Sequence, residues 1–235
     1  SSEVDLETGY AAASDWYFQM VFVATTASIV SGALAERILI WPFFLFTAIL
    51  TAFIYPIAGS WQWGGGWLSE MGFSDFAGST LVHSVGGYAA LAGAILLGAR
   101  DGKYSADGKV NVIGGCSLPM TTLGVFILWL GWFGFNGGSQ LALGSGADAT
   151  AVADIFVNTN LAAAGGVLAC MIVSKATNSH TNIAATLNGA IAGLVAITAE
   201  PLTPSMGQAV IIGAIGGIIC MSVSYTHLTL PTIFA

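Results

Sequence analysis

The run DFAGSTLVHSVGGYAALAGAILL, residues 75–97, constrains this chain more than any other stretch. A helix of about 20 apolar residues is long enough to cross the hydrocarbon core of a bilayer. Yet this run opens on Asp75 and carries His83 well inside it. An ionisable side chain at that depth costs on the order of a few kcal/mol unless it faces water or a partner. Read as one helix from Asp75, the segment places His83 about 12 Å further along the axis, at about 1.5 Å per residue. Asp75, Ser79, His83 and Gly87 then fall near one face. Gly86, Ala90, Gly93 and Ala94 form a second stripe, of the small residues that let transmembrane helices pack closely. The segment reads as a packed membrane helix with a polar track.

The rest of the chain agrees with a membrane setting. Charged residues make up 7% of it and hydrophobic residues 55%, against about 25% charge in a soluble domain. The expected fold class is an all-α, polytopic membrane protein in contact with lipid. Apolar runs predict seven spans, at about 15–36, 38–59, 75–98, 112–137, 150–174, 183–199 and 207–225, of which the sixth is short. A polar segment, 1–14, precedes them, with no positively charged leader. Only five residues are Lys or Arg, which argues against nucleic acid as a partner. Cys116, Cys170 and Cys220 are unclustered and sit in apolar runs, so they read as small buried hydrophobes. No metal-ligand cluster or cofactor motif appears, and no cofactor is expected.

Charge tests this threading. If the spans alternate, Arg37, Arg100, Lys103, Lys109 and Lys175, all the basic residues, fall on one side. Glu3, Asp5, Glu7, Asp15, Glu70, Asp75, Asp148, Asp154 and Glu200 fall on the other. Basic residues favour the cytoplasmic side. The residue 1 end is therefore expected outside and the 99–111 loop in the cytoplasm. SGALAE at 31–36 and NGAIAG at 188–193 are a faint internal echo, of the kind left by inverted repeats.

Several residues could carry chemistry, and each also has a plainer role. Phe18 and Phe22 share a face of the first span, as packing aromatics would. Trp61, Trp63 and Trp67 could form an interfacial belt. Ser139 could cap its helix, and Asp75 could be an N-cap. As a set they suggest a path. Trp63 and Ser139 are predicted at the outer mouth, where an aromatic face and a hydroxyl oxygen suit a small cation. Further in stands an imidazole and little else polar. Such a path admits a neutral, hydrogen-bonding molecule and refuses bare ions, whose desolvation is costly.

At these residues the sequence resembles the ammonium transporter family (Amt/Mep/Rh). The resemblance lies in FQMVFVATTASIVSGALAERI (18–38), YPIAGSWQWGGGWL (55–68), DFAGSTLVH (75–83), GWFGFNGGS (131–139), VNTNLAAAGG (157–166) and NGAIAGLVAIT (188–198). It runs from about residue 15 to 223. It implies that Trp63 and Ser139, with Phe22, form an outer ammonium-recruitment site above Asp75. It implies that Phe22 and Phe135 stack as a gate, with Phe18 beside them, and that His83 and Trp132 line the pore. His83 matches the first of twin pore histidines. The family fold implied is a helical bundle of eleven helices with an inverted repeat, assembled as a homotrimer. This chain corresponds to about the third to ninth helices. The second histidine, in a G-x-H-G setting, has no counterpart here. His227 lacks that context, the tail 224–235 is atypical, and neither His227 nor His180 is given a role.

The implied function is recruitment of NH4+ outside, deprotonation, and conduction of NH3 at the plasma membrane. An ammonium sensor built on the same fold is the alternative. A seven-helix photoreceptor is rejected, because the last span has no lysine for retinal. An enzyme is not expected, since no nucleophile–base pair or paired aspartates face each other. The orientation is testable. In the complete protein, a cysteine introduced within 101–109 should resist an impermeant maleimide on intact cells and react in inside-out vesicles. Labelling from the outer face would reverse the assignment.

Overall fold

A computed structural model describes residues 10–111, 113–115 and 117–227. The described residues are helical apart from turns and one isolated bridge, Tyr104 to Val110, in the 99–111 loop. Among the described residues, six helical segments are long and apolar enough to cross a membrane. The predicted sixth span is the exception. It forms α8, Ile183–Ile197, of 15 residues, about 22 Å long at 1.5 Å per residue and shorter than the ~30 Å core. The chain divides into two compact units, before and after residue 112.

The first unit holds α1 (Ala12–Leu34), α2 (Ile40–Ile49) and α3 (Tyr55–Ser60), the last two joined by a π-helical turn, Leu50–Ile54. A short α4 (Trp67–Glu70) comes next, then a second π-helical turn, Ser79–Ser84, leading into α5 (Val85–Leu97). The predicted small-residue stripe packs α5 on α1. A β-carbon on Gly86 would lie 3.0 Å from both Thr26 O and Ile29 Cβ. Ala27, Val30, Leu34 and Leu50 form the core there, with Phe46, Val85 and Ala89 against it. At one end the Arg37 guanidinium donates to the Ala33 and Gly98 carbonyls. Arg100 pairs with Glu36 at 2.9 Å. Arg37 and Arg100 thus lie at the same end of this unit, as the threading requires.

The second unit holds α6 (Leu118–Gly138), α7 (Gly146–Asn178), α8 and α9 (Met206–His227). Two boundaries differ from the expectation, for local reasons. Helix α6 starts at 118 rather than 112, because Ser117 caps it by accepting from the Met120 amide and Pro119 sits at its start. Helix α7 starts at 146 rather than 150. Ser145 and Asp148 form a reciprocal capping box, which turns the end of a Gly/Ser-rich loop into helix. Cys170 is buried, with its thiol on Gly217 O at 3.3 Å. Cys220 is only half-buried, which corrects the expectation for it, and Cys116 lies outside the described residues.

Helices α7, α8 and α9 share a small side-chain cluster, Ala162, Ile197 and Ala209, and otherwise approach to backbone contact. A β-carbon on Gly213 would overlap the Ala162 carbonyl, and one on Gly166 would overlap the Gly189 carbonyl. Without a hydrophobic drive between helices in lipid, such close approach supplies the van der Waals contact that holds them. Gly213→Val should therefore lower the thermal midpoint in detergent, by overpacking worth at least about 1–3 kcal/mol. Gly124→Ala, a site with no neighbouring atom within 4 Å, should leave it unchanged.

Candidate pore and recruitment site

In the first unit, Asp75 does not belong to the helix it was expected to open. Residues 75–78 are a non-helical turn, and the helix begins at Ser79. The cause is Gly78, in a left-handed conformation at φ 94°, which a helix cannot contain. The expected separation of Asp75 and His83 along a single helix axis falls with it. Instead the Asp75 carboxylate, 1% exposed, caps the helix from outside. Oδ1 accepts from the Gly78 and Ser79 amides, both at 2.9 Å, and Oδ2 from the Thr80 and Leu81 amides, both at 2.8 Å. These charge-assisted bonds satisfy four amide donors that a helix leaves over at its N-terminus. They also occupy the roughly four lone-pair sites a carboxylate has. Asp75 can therefore act on a cation through its charge, and direct ligation would cost it a bond.

Around this turn the unit gathers the other predicted residues. The Trp63 indole N–H donates to Asp75 O at 2.8 Å. Its ring stands 5.8 Å from that of Phe22, which makes an edge contact with Phe18 at 4.7 Å. Phe22 is buried and Phe18 and Trp63 are half-buried. Trp61 and Trp67 make a tilted ring contact at 5.7 Å and stay exposed. The predicted belt thus splits, with Trp63 alone turned onto the phenylalanines. His83 sits in the π-helical turn, where its Nδ1 lies 2.9 Å from Gly78 O. A carbonyl can only accept, so Nδ1 carries the proton in this contact. The neighbouring Val82 O accepts from Thr26 Oγ1 at 3.2 Å, and Thr26 lies one turn beyond Phe22 on α1.

In the second unit, the Trp132 and Phe135 rings on α6 make a tilted contact, with centroids 5.7 Å apart. Ser139 ends that helix, and its hydroxyl donates to Phe135 O at 2.8 Å. The cap role expected as the plainer alternative is thus present. It leaves Ser139 Oγ with lone pairs to offer a donor. Trp132 is buried, and its indole N–H donates to Thr198 Oγ1 at 2.8 Å.

Sequence reasoning missed the residues that hold this wall. Thr198 Oγ1 is within 2.6 Å of Leu194 O and 3.1 Å of Asn136 Oδ1. The Asn136 amide donates to Thr159 Oγ1 at 2.9 Å. Nearby, Asn158 donates to Pro201 O at 3.0 Å and to Pro204 O at 2.8 Å, which holds the α8–α9 turn. Asn158 and Thr159 lie in the VNTN stretch, and two asparagines inside a span were the available signal. Among the described residues no group of His, Cys, Asp and Glu is placed to hold a metal ion.

A model of the Ammonium Transporter Family matches residues 2–230. The chain belongs to the ammonium transporter family. It is 47% identical over 214 residues to ammonium transporter Amt2 of Archaeoglobus fulgidus, covering 87% of this chain and 45% of that protein. It is 42% identical over 204 residues to the ammonium transporter of Bacillus subtilis, covering 86% and 47%. Among solved structures it is similar to a Sensor Amt Protein, with a TM-score of 0.86 and 44% identity over 92% of this chain and 54% of that one. It is likewise similar to Mep2 of Candida albicans, with a TM-score of 0.79 and 36% identity over 89% and 46%. The chain spans about half the length of the curated relatives it matches.

The buried carboxylate offers a test of the site's construction. Asp75→Asn keeps the size but sets an amide NH2 against two of the four backbone donors. The loss expected is at least about 2 kcal/mol, from unpaired buried amides, read as a lower thermal midpoint in detergent. Asp75→Glu, which keeps the charge, should recover part of it.

Proposed function

We propose that this chain contributes to an ammonium transport pathway within a complete transporter. The supporting observation is the cluster of Phe18, Phe22 and Trp63 built onto the turn that joins Asp75 to His83. Trp63, with Ser139 and Phe22, recruits NH4+. The aromatic faces attract the cation, and the Ser139 oxygen, its proton already given to Phe135 O, accepts an ammonium N–H. The Asp75 charge favours the cation without touching it. The cation gives its proton to water, and the NH3 that is left passes Phe22 and Phe135, with Phe18 beside them, and runs along His83 and Trp132. With its indole N–H held by Thr198, Trp132 presents an apolar wall, which suits a neutral permeant.

In this reading the complete protein lies in the plasma membrane as a homotrimer, with the 99–111 loop in the cytoplasm and no cofactor. The segments 1–14, 15–223 and 224–235 are read as an outer polar stretch, the transport domain and an atypical tail. A second reading, ammonium sensing on the same fold, has the support of the likeness to a Sensor Amt Protein.

Uptake of labelled methylammonium by the complete protein is the direct test. His83→Ala should lower the maximal rate at least tenfold while the protein still reaches the membrane. Uptake equal to wild type would remove His83 from the pathway. A wild type that signals in response to ammonium without moving methylammonium would favour the sensor.

A further inference from the structure

One glycine lies against Asp75, Trp63 and His83 in the first unit's site. The Gly78 amide donates to Asp75 Oδ1 at 2.9 Å, and its carbonyl accepts from His83 Nδ1 at 2.9 Å. The same carbonyl takes the Val82 and His83 amides, both at 3.2 Å. On its Cα side a β-carbon would overlap Val82 Cγ2 and stand 3.1 Å from Trp63 Cη2. Its backbone is left-handed, at φ 94° and ψ 35°.

These contacts leave the residue no freedom of kind. Only glycine reaches this conformation without strain, and the peptide planes on either side are rigid. A change of φ would turn the amide from Asp75 or the carbonyl from His83. Nor can the neighbours yield freely. Trp63 is held from its other edge by Asp75 O. Val82 is fully buried, and its carbonyl accepts from Thr26. We propose that Gly78 is a positioning residue that sets the spacing between the Trp63 indole and the His83 imidazole, tying cation recruitment to conduction through one peptide unit. The inference rests on the transport reading for its functional meaning. Gly78 acts through Trp63 and His83 and contacts no permeant itself.

The test compares five forms of the complete protein in vesicles by methylammonium uptake: wild type, Trp63→Ala, His83→Ala, Gly78→Ala, and Gly78→Ala with Val82→Ala. Trp63→Ala should raise KM and His83→Ala should lower the maximal rate. Gly78→Ala should do both, each at least fivefold, at a normal level in the membrane. Adding Val82→Ala removes the tighter overlap and leaves the Trp63 contact. It should restore the maximal rate at least twofold while KM stays raised. A Gly78→Ala protein that changes only one parameter, or neither, overturns the proposal. So does loss of both Gly78 variants from the membrane, because the glycine would then serve folding alone. A second readout does not depend on transport. In 15N-histidine spectra, the signal that disappears in His83→Gln should report a proton on Nδ1, and Gly78→Ala should shift it. A shifted signal in a protein that moves no methylammonium would sink the transport reading and leave the positioning intact. An unshifted signal overturns the positioning.

Discussion

A buried carboxylate that accepts four backbone amides organises the first half of this protein. Moving a bare charge out of water costs several kcal/mol even after relaxation. Asp75 offsets that cost with four short bonds, from Gly78, Ser79, Thr80 and Leu81. It also lies at the positive end of the helix that begins at Ser79. Reaching four consecutive amides requires the chain to turn back on the carboxylate, and the left-handed Gly78 makes that turn. The turn in its own right fixes two rings. The Asp75 carbonyl holds the Trp63 indole, and the Gly78 carbonyl holds the His83 imidazole. The π-helical turn from Ser79 to Ser84 is the wider winding in which both the His83 amide and its ring reach that carbonyl.

The second half solves a different problem by different means. In lipid, apolar side chains do not drive helices together, so contact must come from close backbone approach and from polar links. Gly166, Gly189 and Gly213 supply the approach. Trp132, Thr198, Asn136 and Thr159 supply a buried network in which each polar group has a partner. Such a network is costly if half-satisfied and rigid if complete. It holds the Trp132 ring against Phe135 with its N–H turned away from the ring faces.

Much of the fold is legible from hydropathy alone, because a bilayer demands a length and a polarity that few other folds need. All seven helical segments lie near their expected positions. The errors fall where a few residues override the apolar pattern. Ser117 with Pro119, and Ser145 with Asp148, set helix starts that hydropathy cannot see. Asp75 abuts an apolar run and so looks like the first residue of a helix, whereas Gly78 breaks the backbone between them. Ser139 is legible as a cap by its place after GWFGFNGG. The hydrogen-bond partner of Trp132 is not, since Thr198 lies 66 residues away in the chain.

The sequence by itself determined the membrane setting, the approximate helix positions and the family, since these rest on composition and on motifs contiguous in the chain. Only the tertiary structure decided that Asp75 spends its oxygens on backbone amides, that Trp63 leaves its tryptophan neighbours for Phe22, and that Thr198 takes the Trp132 N–H. Hydrogen bonds and ring contacts depend on where a side chain points in three dimensions. For Trp132 that direction is set by Thr198, 66 residues away, and for Asp75 by the left-handed backbone of Gly78, which the apolar pattern does not reveal.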